Sequence, residues 1–202
     1  MLRKKQYRNQ FIAVNLLLSN IVMGGIDTIL LYSGDIFRNA GISESNIFYI
    51  NIGAFSLLFI CCFVGSFLVD RFGGYRVMVA GCVVLLCSQV LFTVAQAIEH
   101  LSPAVTRPLA VVAVFLILGS WSLGINSSVF ALLGEITTDR TRTTAYGYAA
   151  ILFWILSWLG GFIPPYLILY ARAYALAPWI IWTVMIIVYA ITYLPGVREK
   201  TS

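Results

Sequence analysis

Hydrophobic residues in this chain fall into long unbroken runs, separated by short stretches where glycine, proline and charge collect. The runs cover Phe11–Ser33, Ile47–Val69, Val77–Ile98, Leu109–Leu133, Tyr148–Tyr170 and Ala177–Leu194. Each is near the roughly 20 residues needed to cross the hydrocarbon core of a bilayer. Backbone groups in lipid must be satisfied within their own segment, so the runs predict helices. A membrane strand would alternate apolar and polar positions, and the stretch VVAVFLILG does not. The expected fold is therefore all-α, a polytopic membrane protein of six transmembrane helices. Gly73-Gly74, Ser102-Pro103 and Pro195-Gly196 stand at run ends, where turns belong. Gly24-Gly25 and Pro164-Pro165 stand inside runs, predicting either bends that line a cavity or close packing at small residues.

Composition agrees. Of 202 residues 60% are hydrophobic and 10% charged, against roughly 25% charged in a soluble domain; the mean hydropathy is +0.91. The net charge of +5 does not imply nucleic acid, because the basic residues are spread between the apolar runs. Arg3, Lys4, Lys5, Arg8, Arg71, Arg76, Arg140, Arg142, Arg198 and Lys200 fall on one side of a six-span topology, and Arg38, Arg107 and Arg172 on the other. Positive charge marks the cytoplasmic side, so both termini are expected there. The division that follows is a basic cytoplasmic segment over residues 1–10, a transmembrane domain over 11–195 and a cytoplasmic tail over 196–202. The basic start followed by an apolar stretch mimics a signal peptide, but no A-x-A-like cleavage site follows, so an uncleaved first span is expected. Cys61, Cys62, Cys82 and Cys87 all lie inside runs and the one histidine is His100. They read as packing residues; no disulfide, metal or cofactor is expected.

Two charged clusters stand out. Asp70-Arg71-Phe72-Gly73-Gly74-Tyr75-Arg76 closes the second run, and Glu135 leads Arg140 and Arg142 after the fourth. Either alone is what any cytoplasmic loop collects. As a pair on one face, Asp70, Arg71, Arg76, Glu135, Arg140 and Arg142 suggest an interhelical charge network able to open and close.

The pair resembles the sugar porter family of the major facilitator superfamily, in the last six of that family's twelve helices. Asp70 to Arg76 is similar to its D-R-x-G-R-R loop, and Glu135 to Arg142 to its E-x6-R motif, with Thr143-Thr144 following as in fungal members. Gly25-Ile26-Asp27 and Tyr32 through Gly41 resemble the G-I-N…Y…IF..AG pattern of the seventh helix. Trp154, Pro164-Pro165-Tyr166 and the closing Leu194-Pro195-Gly196-Val197-Arg198 also have counterparts. The resemblance implies one six-helix half of a facilitator fold, secondary transport of a sugar or similar small polar solute, and a proton as a candidate coupling ion. It departs from hexose-binding members where a paired Gln of the seventh helix is replaced by about Ile21 and Val22. The Asn of G-I-N is Asp27, and Asn126-Ser127-Ser128-Val129-Phe130 replaces a G-P-x-x-W stretch.

Asp27 is an ionisable side chain well inside an apolar run, a costly and often functional placement. It reads as a substrate contact or protonatable coupling site, or as a carboxyl wetted near the end of its span. Tyr32 is a gate or an interface tyrosine; Asn126, Phe130 and Trp154 are candidates for contacting a solute, or packing residues. No enzymatic motif is present. The leading expectation is a half-length transporter, silent until an amino-terminal half or a second copy completes it in the bilayer. A scaffold, regulatory or decayed membrane protein is the alternative.

Overall fold

The computed structural model describes residues 5–39, 42–98, 102–171 and 174–194. His100, Arg172, the first basic residues Arg3 and Lys4, and the tail 196–202 lie outside them. Among the described residues every regular element is helical: α1 (Lys5–Met23), α2 (Ile26–Asn39), α3 (Glu44–Phe72), α4 (Gly74–Ala97), α5 (Pro103–Ser120), a π-helical turn η1 (Trp121–Asn126), α6 (Ser127–Ile136), α7 (Asp139–Phe162), α8 (Pro164–Ala171) and α9 (Ala177–Thr192). Five stretches are long and apolar enough to cross a membrane: Tyr7–Arg38, Glu44–Phe72, Gly74–Ala97, Pro108–Ile136 and Arg142–Ala171. The sixth run forms the sixteen-residue α9, about 24 Å at 1.5 Å per residue. The first helix begins at Lys5.

The breaks fall where glycine and proline stand. Gly25 takes φ +79°, a left-handed conformation natural to glycine, and divides the first span into α1 and α2. Pro164 opens α8 after α7 ends at Phe162, since proline has no N–H to offer the preceding turn. Gly73, at φ +84°, turns α3 into α4.

Packing centres on α1, α4 and the fourth span. α4 lies along α5 and η1, α1 lies along α7, and α9 closes on α4. The largest fully buried side chains include Leu17 of α1, Ile29 of α2, Met78 and Leu85 of α4, Ile117 of α5, Leu132 of α6 and Ile186 of α9. Two crossings run on bare backbone. A Cβ on Gly81 would press into the Gly124 backbone and lie 3.3 Å from the Ser120 carbonyl oxygen. One on Gly65 would meet Ser127 Oγ and the Leu123 carbonyl oxygen, the latter at 2.8 Å. Small residues are what allow membrane helices to approach this closely.

The predicted basic side is one end of the bundle. Gly74 packs on Leu132, Tyr75 donates to the Ala190 carbonyl at 3.2 Å, and Phe11 meets Tyr148 edge to face. The start of α1, the α3–α4 turn, the end of α6, the start of α7 and the end of α9 therefore lie together.

Candidate functional site

Breaking a helix frees carbonyls, and in lipid each must find a donor. At the α1–α2 break the donors come from distant helices. Trp121 Nε1 donates to the Ile21 carbonyl at 2.8 Å. Gln89 Nε2 donates to the Gly24 carbonyl at 2.9 Å, and the Gln89 Oε1 accepts from Thr183 Oγ1 at 3.2 Å. Trp179 fills the space a side chain on Gly25 would take, its Cγ and Cδ1 3.1 Å from an ideal Cβ. Asn20, fully buried one turn earlier, donates to Cys82 Sγ at 3.6 Å, while its Oδ1 and the Thr28 hydroxyl have no protein partner. A polar cluster thus surrounds the break inside an otherwise apolar bundle.

Asp27 stands just past the break, in the first turn of α2, where the positive end of the helix dipole favours a carboxylate. It is half-buried. Ser157 of α7 donates to its Oδ2 at 3.0 Å, and Gly160 leaves room beside it, since a Cβ there would lie 3.5 Å from the same oxygen. Tyr32, more than a turn along α2, donates to the Gly161 carbonyl at 2.8 Å. Asp27 and Tyr32 are therefore brought together as one polar seam between α2 and α7. Trp154 lies one turn before Ser157 but is 70% exposed, its ring edge to face with Phe153.

Asn126 and Phe130 occupy a different place. Asn126 ends η1 and donates to Cys62 Sγ on α3 at 3.7 Å; Phe130, one turn on, is exposed. The π-turn is lined with serine hydroxyls. Ser127 Oγ donates to the Ser122 carbonyl five residues back, at 2.8 Å, Ser128 Oγ to the Gly124 carbonyl, and Ser122 Oγ across to the Leu58 carbonyl at 2.9 Å. Such back-bonding loosens the regular helical ladder and favours a wider turn. Turns of this kind occur often at functional positions.

The charged clusters meet at the basic end. Asp70, Arg71 and Arg76 are exposed around the Gly73 turn, and Gly74 packs on Leu132, one turn before Glu135. Arg71 lies over the Phe72 ring at 5.6 Å. Arg142 donates through Nε to Thr137 Oγ1 at 3.3 Å and through a terminal nitrogen to the Thr137 carbonyl at 3.5 Å, closing the end of α6. Arg140 stands in the first turn of α7. At the opposite end Arg38 pairs with Asp35 at 2.7 Å and with Glu44 at 2.6 Å.

Sequence reading weighed charged residues together with Tyr32, Asn126, Phe130 and Trp154, and passed over Asn20, Gln89, Trp121, Ser157 and Thr183. The signal was available: an amide inside a 24-residue apolar helix, as Gln89 is in α4, is expensive to bury without a partner.

The family profile described as "Sugar (and other) transporter" matches residues 1–201. The human solute carrier family 2 facilitated glucose transporter member 11 is 26% identical over 194 residues, 96% of this chain and 39% of that protein. Member 5 from Equus caballus is 22% identical over 201 residues, 100% of this chain and 40% of its own length. Member 3 from Oryctolagus cuniculus is 24% identical over 199 residues, 98% of this chain and 40% of its own. The chain spans about two fifths of the length of these curated relatives. With the profile running across nearly every residue of a bundle of membrane-length apolar helices, the chain belongs to the sugar transporter family of the major facilitator superfamily and is a multi-pass membrane protein.

Proposed function

We propose that this six-helix unit is the carboxy-terminal half of a sugar-type transporter, moving a sugar or related small polar solute once an amino-terminal half or a second copy faces it. Its role is transport and not catalysis, and both termini and the basic end lie in the cytoplasm. Asp27 and Tyr32 form the solute-facing wall, while Asp70, Arg71, Arg76, Glu135, Arg140 and Arg142 act as the charge network of the cytoplasmic gate. The supporting observation is the seam itself: a half-buried carboxyl beside a broken helix, held by Ser157 and left open by Gly160. Discontinuous helices at the interface of two repeats are where secondary transporters place their substrates.

The test is reconstitution in lipid vesicles. The chain alone, reconstituted as a monomer, should take up no labelled hexose. Co-reconstitution with the amino-terminal six helices of a relative should restore uptake, and Asp27→Asn should reduce it severalfold. Uptake by the chain alone as a cross-linked monomer would overturn the two-half reading. Ile21 and Val22 favour a second reading, a non-transporting membrane scaffold: they are buried at 6% and 3% exposure and offer no polar group to a hexose. Failure of every amino-terminal partner to restore uptake would select it.

A further inference from the structure

On the flank of the bundle away from the Asp27 seam, α3, α4 and the fourth span enclose an open groove of about 790 Å³, within the roughly 300–1,000 Å³ typical of small-molecule sites. Its walls are apolar along their length, with Leu57, Leu68, Val84, Val112 and Leu116 among the lining residues. On α3 the lining runs from Leu57 to Phe72, about 22 Å at 1.5 Å per residue, enough for an extended acyl chain. Two lining residues have polar side chains, Ser120 on the fourth span and Arg76 at one end. Arg76 lines the groove beside Phe72, and the Arg71 guanidinium lies 5.6 Å above that same Phe72 ring. Asp70 shares the turn, so the mouth carries two positive charges against one negative.

We infer that this groove holds one anionic phospholipid, with an acyl chain between α3, α4 and α5 and the headgroup phosphate at Arg76 and Arg71. Apolarity alone selects nothing in a bilayer, because surrounding tails are as apolar as the groove. The two arginines supply the selection. They attract anionic headgroups at the membrane surface, and guanidinium binds phosphate through two parallel hydrogen bonds. Gly73 fixes this geometry: its left-handed φ of +84° sets Arg71 and Arg76 on either side of one tight turn. The inference needs no transport and stands apart from the α2–α7 seam.

The test uses the full chain in neutral detergent, incubated with equal amounts of phosphatidylglycerol and phosphatidylcholine bearing the same chains, and read by native mass spectrometry. The native chain should retain one phosphatidylglycerol with about fivefold or greater preference. Arg76→Gln should lower the preference toward equality while lipid is still retained. Ala80→Trp, which fills the groove from an exposed position, should abolish retention of both lipids with the helical circular dichroism unchanged. Val112→Trp, from the opposite wall, serves equally if the α4 variant misfolds. The inference is overturned if the native chain keeps no lipid, or if its preference survives Arg76→Gln. It is also overturned if the groove proves to hold a second copy, seen as a dimer that Ala80→Trp dissociates.

Discussion

The first and fifth spans look alike in composition and live in opposite surroundings. Both are apolar, long and broken once, by Gly24-Gly25 in one and by Pro164 in the other. Yet 67% of the first span's most apolar stretch is buried inside the bundle, against 6% for the fifth. Around the first, other helices answer the break: Trp121, Gln89 and Trp179 converge on it. Along the fifth, Ile151, Trp154, Ile155, Trp158 and Phe162 face outward. Apolarity therefore records that a segment leaves water, but not whether lipid or protein receives it. The first span behaves as the spine of the unit and the fifth as a surface ready for lipid or for a facing half.

The sharpest way to break this contrast is to add side chains to glycines on each span. Gly25→Val forces a branched residue into positive φ, about 1–3 kcal/mol, and into the Trp179 ring, about 1–3 kcal/mol more. A loss of about 2–6 kcal/mol is expected from denaturant titration in mixed micelles. Gly147→Ala, where nothing lies within 4 Å of the added Cβ, should be neutral or stabilising by up to about 1 kcal/mol. Comparable losses at both sites would end the distinction. A smaller contrast comes from Gln89→Leu, which strands the Gly24 carbonyl and should cost about 1–3 kcal/mol. Trp158→Leu on the outward face should stay within about 0.5 kcal/mol; a larger cost, by the same titration, would show that this face is already covered. A modest cost is expected at the seam joining the two spans. Ser157→Ala and Tyr32→Phe should each cost about 0.6 kcal/mol, the usual worth of a hydrogen bond between membrane helices. Faster hydrogen exchange in α2 but not in α1 would accompany the double substitution, and uniform exchange would contradict a local seam.

Much of this architecture was legible in the sequence, because long apolar runs and Gly/Pro punctuation act locally. The bounds of α3 and α4 follow from the charged residues at 70–76, and the breaks at Gly25 and Pro164 from backbone chemistry that needs no neighbour. The side chains that answer the breaks were not legible, since Gln89 and Trp121 matter only through contacts 65 and 100 residues away. The π-turn at Trp121–Asn126 left only an indirect trace, the serines at 120, 122, 127 and 128, which hydropathy counts as mildly polar residues and nothing more. Of the candidate solute residues, Asp27 and Tyr32 share a seam because α2 places both toward α7. Asn126 points instead to α3, a choice set by the crossing of whole helices rather than by any residue nearby in sequence.

The donors that close the α1–α2 break also impose an order on biosynthesis. At about 5–20 residues per second, Gln89 follows Gly24 out of the ribosome by roughly 3–13 s and Trp121 follows Ile21 by roughly 5–20 s. A segment alone in hydrocarbon meets its carbonyls within its own helix, so the break can take its folded form only after the third and fourth spans bring Gln89 and Trp121 to it.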